Sequence, residues 1–329
     1  MAALTLDLFS KRLLVISGKG GVGKTVISSA LGLIGSSLGK NVLLVKMDDQ
    51  GRTGALFGRP ALTDRIAPLR ENVSGVNLDP RTIVADYFHA QLRIKRLVRH
   101  IMDSTLFKAW FRVSPAIKEM TVLGKVWSLV EESTWWRQKP VWDLVIFDAP
   151  ATGHGLGLLR LPEQASKLLI GPMRTNALGV QAMLQNQQLT SLLLVTLPEE
   201  MPVNETIHFY DQARATLKMP LAGVVLNGAV PARIEGNSLE AVEALVQEAP
   251  AQAAFESMVG RGDAAADALR TAATYSRARR ELTERYAAEL RAKVDLPLVE
   301  VPYLFTESFG FPELEQVSES LAASLRGGS

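Results

Sequence analysis

Cysteine is absent from the whole chain, which excludes disulfide scaffolds, thiol catalysis, cysteine-bound zinc and iron–sulfur clusters. An excess of one charge is lacking too: 36 Lys and Arg stand against 34 Asp and Glu, a formal net charge of +2. That balance argues against a generic polyanion binder and leaves room only for a local basic face. The four histidines are scattered, which together with the missing thiols speaks against a transition-metal site. Long apolar runs are missing as well. The densest, around Leu189–Leu197, is about half of the roughly 20 residues a bilayer-spanning helix needs. The amino-terminal stretch MAALTLDLFSKRLLV carries its charges behind its first apolar residues, so it does not read as a secretory signal and a cytoplasmic location is expected. What is present is the composition of a folded chain: 329 residues, 47% hydrophobic and 21% charged, enough for a sizeable core.

Short, nearly continuous apolar runs recur at Arg12–Ile16, Asn41–Met47, Trp142–Phe147, Leu192–Leu197, Gly223–Leu226 and Leu298–Val301. Strands covered on both faces have this character. Helical stretches lie between them, so the expected fold is α/β, with a mostly parallel central sheet flanked by helices. Val22–Leu38 places Ile27, Ala30, Leu31, Ile34 and Leu38 on one helical stripe that Gly39 can stop. Helical insertions are expected over 79–139 and 158–190, a third helical region over Ser238–Lys293, and an acidic helix over Glu313–Arg326. Residues 1–329 read as one domain with these elaborations.

Directly after the first strand and before the first helix stands S-G-K-G-G-V-G-K-T-V, Ser17–Val26. It contains G-x-x-x-x-G-K-[ST] as Gly18, Gly23, Lys24 and Thr25, the pattern of a phosphate-binding loop in its proper context. Gly18, Gly20, Gly21 and Gly23 can take positive φ, which turns consecutive N–H groups inward, Val22 and Val26 included, around phosphate oxygens. The helix N-terminus adds its positive end. Lys24 is expected to reach the β- and γ-phosphates of ATP, or the β-phosphate of ADP, and the Thr25 hydroxyl to ligate Mg²⁺. Hydrolysis further requires a group that holds the metal and one that orients water. Such groups belong at the carboxyl ends of strands beside the loop. Asp148 after WDLVIF fits the metal role, directly or through water, and Asp48 after VLLVKM the water-orienting or base role. The alternative for Asp48-Asp49-Gln50-Gly51 is turn chemistry alone.

Lys19 makes the loop K-G-G-V-G-K-T, which resembles the deviant form found in dimeric ATPases. The stretch F-D-A-P-A-T-G-H-G-L-G-L-L-R-L-P, Phe147–Pro162, resembles the second switch of the arsenite-pump and tail-anchored-protein-targeting ATPase family. Three further segments are similar to that family: Val195–Thr206, Val224–Gly228 and Val301–Phe305. The resemblance covers nearly the whole chain. It implies a P-loop ATPase that dimerises around ATP and uses hydrolysis to control a protein interaction or targeting step. It gives Lys19 a charge-stabilising role at the partner's nucleotide, as an arginine finger would act. It places Asn227 on the adenine edge, with Pro302 and Tyr303 closing over the base. His154 either contacts phosphate or merely begins a helix.

The departures carry information. The first switch of the family reads D-P-A-H-[SN], and here the matching residues are Asp48-Asp49-Gln50-Gly51-Arg52. The thiol metalloid site of the pumps and the C-x-x-C zinc clasp of the eukaryotic targeting factors have no counterpart without cysteine. One phosphate loop stands where pump subunits have two, as in the single-domain bacterial branch. A homodimer, or a heterodimer with a paralogue, is therefore expected, without zinc. Two other functions remain open: a positioning ATPase that binds a surface in its ATP state, and a low-turnover nucleotide-binding subunit.

All five tryptophans (Trp110, Trp127, Trp135, Trp136 and Trp142) fall in and just after the first insertion, in a basic region. Met173, Leu178, Met183, Leu184 and Leu189 mark a second stretch, and methionines suit adaptable surfaces. By resemblance these layers would form a groove for a hydrophobic client or membrane-protein segment. Ordinary helix packing is the competing reading. Nucleic acid is disfavoured, since no spaced stacking motif accompanies the basic residues.

Overall fold

The computed structural model describes residues 4–47, 49–92, 100, 102–105, 107, 109, 111, 115–132, 140–150, 152–168, 171–230 and 262–327. Within them the apolar runs form strands β1 (Leu13–Ser17), β2 (Val42–Lys46), β5 (Leu144–Asp148), β6 (Thr190–Thr196), β7 (Leu221–Ala229) and β8 (Leu298–Pro302). Two strands absent from the sequence reading join them, β3 (Ala67–Arg70) and β4 (Val73–Asn77). Among the described residues the eight strands make one sheet, in the order β3-β4-β2-β5-β1-β6-β7-β8. Every neighbouring pair is parallel except β3 with β4. That pair is a hairpin whose turn holds Asn72 at φ 56°, a left-handed position that asparagine tolerates better than most residues. Pro68 sits on β3, the edge strand, where no ladder partner is denied a donor.

The helices are α1 (Lys24–Ser37), α2 (Arg52–Leu56), α3 (Pro80–Leu92), α4 (Pro115–Glu131), α5 (Thr152–Leu168), α6 (Gly171–Gln185), α7 (Glu200–Gln212), α8 (Gly262–Lys293) and α9 (Phe311–Gly327). Alternation along each strand divides the core in two. Leu14, Ile16, Val42, Leu44, Leu144 and Ile146 face one way and cluster with Ile27, Ala30, Leu31 and Ile34 of α1 and Leu314, Val317 and Leu321 of α9. Leu13, Val15, Leu43, Val45, Val145 and Phe147 face the other way, with apolar residues of α4, α5, α6, α7 and α8. Helix α1 lies very close to the sheet: a Cβ on Gly32 or Gly35 would sit 3.0 Å from Leu44 Cδ2 or Val42 Cγ2. Leu38, the last residue of the expected stripe, is the C-cap and lies largely in solvent, and Gly39 leaves the helix at φ 77°.

The tryptophans divide. Trp110, Trp135 and Trp136 lie outside the described residues, as do residues 231–261, which hold the start of the third expected helical region. Trp142 is buried, and Trp127 packs against the same core from α4. A Cβ on Gly179 of α6 would come within 2.7 Å of the Trp127 indole, so α4 and α6 meet where α6 has no side chain. For these two tryptophans packing is the observed arrangement. Met183 and Leu184 are buried, whereas Met173 and Leu178 are exposed. Among the described residues no helix is long and apolar enough to cross a membrane.

The α4–α6 contact makes a measurable claim. Gly179→Leu is expected to lower stability by about 1–3 kcal/mol through overpacking, although leucine is the better helix former. A urea melt with an unchanged or raised midpoint would show that the indole can yield.

Candidate phosphate-binding site

Parallel register brings the site together. Ile16 of β1 lies opposite Asp148 of β5, and Asp148 lies opposite Lys46 of β2. Register partners in neighbouring parallel strands project to the same face, so Lys46 and Asp148 end their strands side by side beneath the start of α1. The loop leaves β1 between β5 and β6 and turns into α1 at Gly23.

The glycine turn is held by contacts that the motif alone does not specify. A Cβ on Gly18 would meet the Val195 carbonyl oxygen of β6 at 2.1 Å, so only glycine can pass there. Gly21 and Gly23 have φ of 86° and 91°, in the left-handed region open to glycine. Gly20 is exposed and is not among the glycines with positive φ; the expected set is smaller by that residue because the turn reverses at Gly21 and Gly23. Val22 is fully buried, and its carbonyl accepts a hydrogen bond from Asn227 Nδ2 at 3.0 Å. Val26 packs against the α1-side core.

The charged groups lie around this turn. Lys24 Nζ donates to the carbonyls of Gly18 (3.0 Å) and Lys19 (2.9 Å), folding back over its own loop. Burial holds the Lys24 ammonium below the ordinary lysine range; the Asp148 carboxylate opposes that shift and Lys46 adds to it. Lys19 Nζ is paired with Glu205 Oε1 of α7 at 2.6 Å. Asp148 is buried; its Oδ2 accepts from Lys46 Nζ and, at 3.4 Å, from Ser28 Oγ of α1. The same Lys46 Nζ donates to Thr25 Oγ1 at 2.7 Å. The sequence-based metal pair, Thr25 and Asp148, is thus brought together, with the Lys46 ammonium between its two oxygens.

Asp48 lies outside the described residues. Its neighbour Asp49 is buried, and Asp49 Oδ1 accepts from the Thr53 N–H (3.1 Å) and hydroxyl (2.8 Å) at the start of α2. Gly51 takes φ 81°. Turn and capping chemistry is therefore what Asp49 and Gly51 perform. The His154 side chain also lies outside the described ones.

At the far side of the loop, β7 and β8 bring the remaining candidates close. The Tyr303 N–H donates to the Ala229 carbonyl at 2.9 Å, and Pro302 pairs with Ala229 in register. Tyr303 is exposed, and its ring meets Phe305 edge-on at 4.9 Å. Asn227 pairs with Val301 in the same ladder, and of the three it is Asn227 that hydrogen-bonds to the loop, at the Val22 carbonyl.

Magnesium takes oxygen ligands and usually only one or two from protein. A threonine hydroxyl and an aspartate carboxylate are donors of that kind, but both oxygens already accept from the Lys46 ammonium, so the residues as arranged do not suit the ion. Among the described residues no group of three His, Asp or Glu could hold a metal. Two residues were missed from the sequence. Lys46 was read only as part of an apolar strand, although it shares a face with Val42 and Leu44 and so had to point towards α1. Glu205 stands inside Val195–Thr206 and carried no signal of its own.

Loop, sheet order and acidic strand end define a P-loop nucleotide-binding protein of the α/β class. The profile of the anion-transporting ATPase family matches residues 11–177, about half of the chain, and the chain belongs to that family, which is one of ATPases. The ATPase BagA of Mycobacterium tuberculosis is 27% identical over 325 residues, covering 94% of this chain and 92% of that protein. The arsenical pump-driving ATPase of Escherichia coli is 26% identical over 274 residues, 78% of this chain and 46% of that one. The ATPase get3 of Schizosaccharomyces japonicus is 29% identical over 170 residues, 50% of this chain and 48% of that one.

The ion pair beneath α1 sets an expectation for stability. Lys46→Met leaves the Asp148 carboxylate buried without its counter-charge and is expected to cost about 3–5 kcal/mol. Adding Asp148→Asn should return more than half of the loss. Equal denaturation midpoints for the single and double variants would contradict the pairing.

Proposed function

We propose that the chain is an ATP hydrolase that dimerises around its nucleotide and uses the bound state to control a protein interaction. The observation that carries this reading is the glycine turn over the carboxyl end of β1, with Lys24, Thr25 and Asp148 gathered around it. In outline, the loop N–H groups and the positive end of α1 bind the phosphates. Lys24 exchanges its two loop carbonyls for phosphate oxygens. Asn227, Pro302 and Tyr303 flank the base. Asp48 is assigned the orientation of the attacking water. Lys19 is assigned the partner's nucleotide, which requires exchanging Glu205 for phosphate when two subunits close.

The client side rests on the helical layer of α3 to α6 and its exposed Met173 and Leu178. Family membership supports the ATPase; the partner, whether a second copy, a paralogue or a hydrophobic segment, follows from the likeness to the targeting branch. A low-turnover nucleotide-binding subunit is the second reading, and the ammonium lodged between Thr25 and Asp148 favours it.

Steady-state ATP turnover and sedimentation separate these roles. Lys24→Ala is expected to abolish nucleotide binding. Lys19→Ala should lower turnover by on the order of 10³, as for a trans-acting cation, while an ATP-dependent dimer still forms. Unchanged turnover with the dimer intact would sink the trans role. Asp48→Asn should hold the ATP-bound complex long enough for a partner to co-purify.

A further inference from the structure

Among the described residues, Lys46 is the one buried lysine at the site that neither the phosphate-loop motif nor the family likeness assigns. Its side chain is 9% exposed and that of Asp148 is 3% exposed. Its stem is fixed by the β2–β5 ladder, in which Lys46 and Asp148 are register partners. Its ammonium donates to both oxygens that a metal would take, Thr25 Oγ1 and Asp148 Oδ2. Ser28 Oγ closes Asp148 from the α1 side.

Two cations cannot share that position. Were a divalent ion to bind both oxygens, the ammonium would have to withdraw from a buried carboxylate with its stem still held in the sheet, and such a separation is costly. If the ammonium stays, it already supplies a positive charge beside the phosphates, next to that of Lys24, and neutralises Asp148, which would otherwise repel them.

We propose that Lys46 is the resident counter-cation of this site, standing in the metal's position between Thr25 and Asp148, so that the chain binds nucleoside diphosphate with little dependence on Mg²⁺. The inference rests on the nucleotide-binding reading above and makes a separate claim about the metal. Lys46 is here a residue that sets metal dependence, and it forms and breaks no bond.

The test is ADP affinity, measured by calorimetry on the full chain in excess Mg²⁺ and in excess EDTA. The wild-type dissociation constants should agree within about threefold, and those of Lys46→Gln should differ by about tenfold or more in favour of Mg²⁺, where tenfold is about 1.4 kcal/mol. Glutamine keeps a hydrogen bond to Asp148 and should hold the fold, which far-UV circular dichroism checks. Should that variant unfold, Mn²⁺ resonance on the wild-type protein with ADP decides: no protein-bound Mn²⁺ signal at the site supports the inference, and a bound signal overturns it. A wild-type affinity that falls tenfold or more in EDTA also overturns it, as does an Mg²⁺ effect equal in wild type and Lys46→Gln. Absence of ADP binding in both buffers would overturn the nucleotide reading, and this inference with it.

Discussion

The parallel register of β2, β5 and β1 is the constraint on which the site depends. It sets Lys46, Asp148 and Ile16 in one row, and the two charged side chains of that row close against α1. Shift β2 by one residue and Lys46 would turn to the opposite core, where it would meet only apolar residues. The apolar alternation through Val42 and Leu44 prevents that slip. Core packing and electrostatics are thus one specification: the residues that bury the sheet also decide which polar groups meet under the loop.

The same geometry explains why the site is tied down by its own atoms. Lys24 rests on loop carbonyls, Lys19 on Glu205, and Asp148 on Lys46. Each strong cation has an internal acceptor, so nucleotide must compete for cations that are already paired. An ion pair open to water is readily exchanged, and Lys19–Glu205, which is part-buried, is nearer to that type than Lys46–Asp148. The Lys46–Asp148 pair is enclosed, and exchange there has to be compensated by whatever replaces it. The three lysines around the loop therefore differ in how readily they can be called upon.

Legibility in the sequence followed the physical strength of each signal. The strands β1, β2, β5 and β6 could be read because burial on both faces leaves continuous apolar runs, and the loop because its glycines and Lys-Thr fall between a strand and a helix. β3 and β4 could not: Pro68, Ser74, Gly75 and Asn77 break the pattern, and their pairing depends on β2 lying alongside. Thr25 and Asp148 were legible as chemistry. The ammonium between them required the strand order, because only the adjacency of β2 and β5 makes a lysine on one reach an aspartate on the other. Asn227 was placed by likeness, and its contact with the Val22 carbonyl came from the fold. Gln50 and the rest of the first switch offered turn residues, and Asp49 and Gly51 took up that use.

The close passage of Gly18 under the Val195 carbonyl, with Asn227 against Val22, has a consequence for how the protein is made. The glycine-rich turn is complete early in synthesis, but the wall it leans on belongs to β6 and the residue that pins it to β7. A nascent chain that has emerged only as far as β5 carries the whole motif and none of this support. Contacts so distant along the chain form late. The final geometry of the glycine turn is therefore acquired only after the second half of the sheet has docked.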